Sequence, residues 1–170
     1  MADVITLITK ENEKIKVSVG LSKMSKLLQG IVEDSGCNDE IPIELISKTT
    51  LDLIIKYAEH HNYRNPAFLP MPLPVCDFSS LIDPWHRSFL SDLSEELFND
   101  LLSASNYLEM KALLNLLLGF LASKFQGKDI STLSALYNIS EPLTADLEDE
   151  LIKEHSWIFE AQVSKLGNSH

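Results

Sequence analysis

Asn106-Tyr107-Leu108-Glu109-Met110-Lys111-Ala112-Leu113-Leu114-Asn115 runs directly into Leu116-Leu117-Leu118-Gly119-Phe120-Leu121-Ala122-Ser123-Lys124-Phe125, and the fold turns on these twenty residues. The stretch predicts a helix from Met110 to Phe125. Lys111, Asn115, Gly119 and Ser123 recur every fourth residue and make one narrow stripe. Leu113, Leu114, Leu116, Leu117, Leu118, Phe120, Leu121 and Phe125 take nearly every other position, so the helix must be covered on two sides. The cover is either the chain's own core or a second molecule. An apolar patch of that size left open is rare on a soluble monomer. Asn106-Tyr107, at the end of the preceding helix, has the same two readings: a cap at the edge of the core, or an interface anchor offering a ring and a hydroxyl together.

Downstream, Asp129 is suited to cap a short helix carrying Leu133 and Leu136, ahead of Tyr137-Asn138-Ile139. Thr144 or Asp146 starts a last helix with Leu147, Leu151 and Ile152, ending near Trp157. Ala161 to His170 is small and polar, the composition of a frayed tail. Upstream, Ser94 or Ser91 caps a helix with Leu97, Phe98, Leu101, Leu102 and Ser105 inward, and a short helix surrounds Trp85 to Leu90. Val4, Ile5, Leu7 and Ile8, then Ile15, Val17 and Val19, flank the turn-like Lys10-Glu11-Asn12-Glu13 and predict an opening β-hairpin. Ser22 caps a helix bearing Met24, Leu27, Leu28, Ile31 and Val32, ended by Ser35-Gly36. Ile41-Pro42-Ile43 reads as an edge strand, because proline gives no N–H to a ladder. Thr49 or Thr50 caps the next helix, with Leu51, Ile54, Ile55 and Ala58 on its buried face.

Residues 62–84 break this order. Pro66, Pro70, Pro72 and Pro74 forbid a regular helix, yet Phe68, Leu69, Met71, Leu73 and Val75 make the loop too apolar for a solvated linker. It either packs back on the domain or meets a partner.

The chain has 170 residues, 45% of them apolar and 23% charged, enough for one domain with an appended element. Its net charge of -11 argues against nucleic acid or an anionic membrane as the main partner, since phosphate binding needs clustered Lys and Arg. The longest apolar run is interrupted by Asn115, Gly119 and Ser123 and falls well short of the roughly 20 residues of a membrane span. Cys37 and Cys76 form no metal-type pair, and the amino terminus lacks a signal peptide's basic and apolar regions. A soluble chain of the cytoplasm and nucleus with reduced thiols is expected.

Catalysis finds little footing. His60 and His61 beside Glu59 point about 100° apart on a helix and chelate one ion poorly. No His-Glu-x-x-His, cysteine pair or glycine-rich phosphate loop accompanies them. Cys76 in a proline-rich loop is a poor platform for a nucleophile, and the acidic runs are solvated helix faces. No enzyme, metal or cofactor is expected.

Four stretches resemble the S-phase kinase-associated protein family, the adaptors that carry F-box proteins in cullin-RING ubiquitin ligases of the SCF type. Leu51 to His61 resembles its helix ending in paired histidines. Asp83-Pro84-Trp85 with Phe89-Leu90 resembles its Trp-anchored helix. Asn106 to Leu114, and Gly127-Lys128 through Tyr137-Asn138-Ile139, are its most specific pieces, and Glu154-His155-Ser156-Trp157 is similar to its closing Glu-Asn-Gln-Trp. The likeness spans residues 3 to about 160 and identifies a divergent member.

It implies an α+β, mostly helical BTB/POZ fold over 1–127, with the apolar loop 62–84, then a two-helix F-box-binding extension over 128–160 and a flexible tail over 161–170. It implies cullin binding at Asn106 and Tyr107. F-box binding falls on Leu114, Leu117, Leu121, Leu136, Tyr137, Ile139, Leu151 and Trp157. Elongin C shares the BTB core without the extension. The function so implied is a non-catalytic bridge between a cullin scaffold and F-box substrate receptors, with a weak homodimer when unpartnered. An F-box-binding subunit of a non-ligase complex and a self-assembling BTB scaffold are the alternatives. The chain departs from the family in its apolar rather than acidic loop and in His86, where an acidic residue follows the tryptophan. Ala145 follows Thr144 in place of the proline hydroxylated in some protist members. Gly119 lies inside the partner-binding helix, where glycine costs about 1 kcal/mol relative to alanine.

Overall fold

A computed structural model describes residues 4–36, 40–70, 78–137, 144–154 and 156, with only the backbone of 136 and 137. The chain divides into two compact units, Met1–Lys124 and Phe125–His170.

In the first unit, β1 (Val4–Ile8) and β2 (Lys14–Ser18) pair antiparallel, with Ile5 opposite Val17 and Leu7 opposite Ile15. This is the expected hairpin. β3 (Glu40–Pro42) adds in parallel on the other side of β1, giving the order β2-β1-β3. Pro42 therefore lies on an edge strand, where its missing N–H breaks no ladder; Ile43 N–H continues the pairing to the Ile8 carbonyl at 2.8 Å. Ile5, Leu7 and Ile41 turn one face of the sheet into the core.

Apart from the last, the α-helices of this unit begin at hydroxyl or carboxylate caps, though not always the expected ones. A 3-10 turn (Val19–Lys23) absorbs Ser22, whose hydroxyl donates to the Val19 carbonyl. Ser25 instead caps α1 (Lys26–Ser35), accepting from Leu28 N–H. Ser47, not Thr49 or Thr50, caps α2 (Lys48–His60); Thr50 is buried and its N–H is the group being capped. Both shifts have one cause. Several adjacent hydroxyl residues satisfy the local chemistry, and the cap is the one whose backbone is extended where the preceding turn ends. Asp83 caps α3 (Pro84–Ser91), with Pro84 in the first turn where an N–H is dispensable. Ser94 caps α4 (Glu95–Tyr107), and α5 (Lys111–Phe125) follows.

The core gathers Leu21, Leu28, Ile43, Ile46, Leu51, Ile54, Tyr57, Leu101, Leu108, Leu113 and Leu117 between the sheet and the helices. α2 packs against α4. Leu69 and Phe78 fold back on α5, so the apolar loop packs there, while Phe68 stays exposed; Met71, Leu73 and Val75 lie outside the described residues.

The second unit holds α6 (Ile130–Tyr137) and α7 (Ala145–Glu154). Asp129 caps α6 by accepting from Thr132 N–H at 3.0 Å, and Thr144 sits at the start of α7, with Leu147 N–H 3.4 Å from its hydroxyl. None of this unit's described residues is buried.

Candidate protein-docking surfaces

The turn from α4 to α5 holds three side chains outward. Leu108 and Met110 are anchored in the core, while Asn106, Tyr107 and Glu109 between and beside them face solvent. Glu109 adopts a left-handed backbone (φ 51), and its N–H closes on the Asn106 carbonyl. Met110 N–H reaches back to the Ser105 carbonyl at 2.9 Å. Ser25 ties this turn to α1: its hydroxyl donates to the Leu108 carbonyl at 2.6 Å while accepting from Leu28 N–H. Tyr107 is 37% exposed on a turn held by the bonded N–H groups of Leu108, Glu109 and Met110. Asn106 and Tyr107 are thus side by side on a rigid element.

On α5 the structure separates three faces. Leu113, Leu116 and Leu117 enter the core. Leu117, expected at the F-box side, is completely buried; with apolar residues all round this helix, the sequence could not say which leucines meet the core. Asn115 and Gly119 face the loop. Asn115 Oδ1 accepts from Leu69 N–H at 2.7 Å, and a Cβ on Gly119 would come within 2.8 Å of Leu69 Cδ1 and 3.0 Å of Phe78 Cε2. The stripe read as polar is therefore partly a seat for the loop. Phe120 joins Phe78 and Phe98 with centroids at 6.0 and 5.7 Å, and Lys124 Nζ stands 4.6 Å over its ring. Leu114, Leu118 and Leu121, spaced i, i+4 and i+7, share the third face; Leu118 is 40% exposed and the other two are half-buried. Leu118 is the member that sequence reasoning left out. Its signal was this spacing from Leu114 and Leu121.

In the second unit, Leu147 and Leu151 stand one turn apart on α7 with Ile152 beside them, all 39–44% exposed, and Ile130 opens α6 at 64%. The side chains of Leu136 and Tyr137, and Ile139 and Trp157 altogether, lie outside the described residues. Leu151 is described and exposed.

The paired histidines join a ring cluster at the end of α2. His60 stacks on Trp85 at 3.8 Å, and His61 Nε2 lies 2.9 Å from His86 Nε2. Asp83 holds His86 from behind through Nδ1 at 3.0 Å and the backbone N–H at 2.8 Å. With Nδ1–H given to Asp83, His86 Nε2 is left as the acceptor for His61 Nε2–H. Burial, helped by the neighbouring imidazoles, pushes His61 down to about 4; burial also lowers His86, against the pull of Asp83. Tyr57, fully enclosed under these rings, has its hydroxyl held protonated by burial and by the Asp83 charge. His86 works here as a helix-to-helix pin. Among the described residues no group of three His, Cys, Asp or Glu side chains is placed to hold a metal ion. No described helix is long and apolar enough to cross a membrane. Cys76, weighed as a nucleophile, lies outside the described residues.

Residues 3–63 match a family model described as "Skp1 family, tetramerisation domain", and residues 111–158 one described as "Skp1 family, dimerisation domain". The first, a POZ model, agrees with a BTB/POZ fold for the α+β unit seen here. The chain is 32% identical over 157 residues to the "S-phase kinase-associated protein 1 homolog" of Tetrahymena thermophila, covering 92% of this chain and 95% of that one. It is 27% identical over 154 residues to the "E3 ubiquitin ligase complex SCF subunit sconC" of Arthroderma benhamiae, covering 90% and 93%. Against the "Suppressor of kinetochore protein 1" of Schizosaccharomyces pombe it is 28% identical over 155 residues, covering 90% and 96%. Likeness of this order along nearly the whole of each chain, with both family models in their proper sequence order, means that this chain belongs to the Skp1 (S-phase kinase-associated protein 1) family.

Proposed function

We propose that the chain is a non-catalytic adaptor that joins a cullin scaffold to F-box substrate receptors in a ubiquitin ligase of the SCF type. One observation carries this. Leu118 on the third face of α5 and Leu147, Leu151 and Ile152 on α7 remain about 40% in solvent, whereas Leu113, Leu116 and Leu117 on the same α5 are buried in the core. Each Leu fully withdrawn from water contributes roughly 1.5–3 kcal/mol, so a few anchors of this kind hold a helical partner after the cost of association. The name of the Arthroderma relative, an SCF subunit, supports the same reading.

In this proposal Leu114, Leu118 and Leu121 on the first unit, and Leu147, Leu151 and Ile152 on the second, contact the F-box protein. Leu136, Tyr137, Ile139 and Trp157 are the remaining members of that set. Asn106 and Tyr107 contact the cullin. Residues 1–127 carry scaffold docking and 128–160 complete the receptor site. No group transfer is assigned to this chain; its part in ubiquitination is placement.

The test is a co-purification of chain, F-box protein and cullin. Leu118→Glu is expected to release the F-box protein and keep the fold. Asn106→Lys with Tyr107→Lys is expected to lose cullin and retain the F-box protein. An F-box protein that stays bound to Leu118→Glu and Leu121→Glu chains overturns the receptor assignment. If cullin never joins the unmodified chain, the ligase role fails and a non-ligase F-box complex takes its place. A homodimer persisting at micromolar dilution with neither partner bound favours the self-assembling scaffold.

A further inference from the structure

A small cleft in the first unit surrounds an aromatic ring that the fold holds out in water. Its floor is the buried Met24, its wall is Phe68, and Lys23, Lys26 and Lys111 stand around a space of about 210 Å³. Glu109 is the one carboxylate among its described lining residues. Arg64 lines the adjoining hollow, which shares Lys23. On a chain of net charge -11 this is a local basic exception.

Phe68 is 60% exposed although Leu69, its neighbour, is tucked against Gly119. Two tethers flank it: Leu69 N–H is bonded to Asn115 Oδ1, and Asn65 Nδ2 reaches the Lys23 carbonyl at 3.4 Å, so the backbone on either side of Phe68 is tied to α5 and to the Lys23 turn. An exposed aromatic beside cationic side chains has the make-up of an interface anchor. The cleft is also fixed to the Asn106–Tyr107 turn. Lys26 Nζ lies 3.9 Å from Glu109 Oε2, Ser25 binds the Leu108 carbonyl, and Lys111 opens α5 directly after the turn.

We infer that this cleft receives an acidic segment bearing an apolar anchor side chain, supplied by the same scaffold subunit that docks on Asn106 and Tyr107. The inference rests on the adaptor reading above. Charge complementarity selects an anionic occupant, and continuity with the turn selects the scaffold. A nucleic acid fits poorly: a handful of cations on so acidic a chain offers no continuous track for a phosphate backbone.

The test is calorimetric titration of the full chain with the amino-terminal domain of a cullin, at about 50 mM and about 300 mM salt. Lys23→Glu with Lys26→Glu and Lys111→Glu is expected to weaken binding by about 10-fold or more and to remove most of its salt dependence. Phe68→Ser is expected to weaken it by about 10-fold. Both variants should bind the F-box protein as the unmodified chain does, with unchanged circular dichroism. If both hold cullin within about two-fold of the unmodified chain while Tyr107→Lys abolishes it, the cleft plays no part and the adaptor reading stands. If the unmodified chain binds no cullin, both fall. Capture of an oligonucleotide by the cleft in place of cullin overturns the assignment of its occupant.

Discussion

Gly119 has no side chain, and that is what lets Leu69 and Phe78 close over α5. Read as sequence, the same glycine was only a weak point in a helix. Nothing in residues 110–125 says that Leu69 and Phe78 land there. Gly119→Leu is expected to destabilise the chain by about 1–3 kcal/mol through overpacking, with Leu69→Ala in the same chain restoring part of it. Urea unfolding of the two single variants and the double measures this, and additivity would mean that the residues do not touch. His61 and His86 carry a second residue-scale expectation. Both have folded values below the ordinary histidine value, so the unfolded chain takes up more protons as pH falls. The stability they contribute is complete above about 6.5 and lost progressively toward about 4, the value for His61. Thermal melts across that range should fall for the unmodified chain and fall less for one with His61→Phe and His86→Leu. Equal slopes would mean the pair does not set the acid response. The paired histidines were visible in the sequence; that His86 would meet His61 across 25 positions was not.

At the scale of elements, periodicity located α5 but could not orient it. A helix apolar at nearly every position has no preferred face until its neighbours are placed, which is why Leu117 was assigned outward and Leu118 passed over. Leu117→Ala is expected to destabilise by about 2–5 kcal/mol, as a buried leucine should, and Leu118→Ala by less than about 1 kcal/mol. Comparable losses in denaturant midpoint would contradict the three-face division of this helix. Ser25 shows how two elements share one side chain. Ser25→Ala removes the cap of α1 and the bond to the Leu108 carbonyl, an expected loss of about 1–3 kcal/mol. Hydrogen exchange should then accelerate at both the start of α1 and the α4–α5 turn; acceleration at α1 alone would mean that the serine does not brace the turn. A sequence reading places a cap within a few residues, because any nearby hydroxyl serves. It cannot see a partner 83 residues away.

For the whole molecule, the division into Met1–Lys124 and Phe125–His170 separates a unit with a closed core from one whose described residues bury nothing. A chain ending at Lys128 is therefore expected to keep its main unfolding transition within about 3 °C and to lose the F-box protein. A collapse of that transition would mean that the second unit supports the first, contrary to the adaptor reading of its apolar residues. The hairpin, the edge strand at Pro42, the helix order and the apolar character of the carboxy-terminal third were all legible beforehand. Each is written in local alternation, 3.6-residue spacing or a proline's missing donor, and so needs no distant residue. The sequence by itself determined which segments are helix or strand and that the helix over 110–125 needs apolar cover on more than one side. Only the tertiary structure decided which leucines are hidden, that Leu69 seats on Gly119, and that Phe68 stays in water among lysines. Those outcomes depend on contacts between residues tens of positions apart, and local periodicity contains no information about which distant surface will come to lie against a given face.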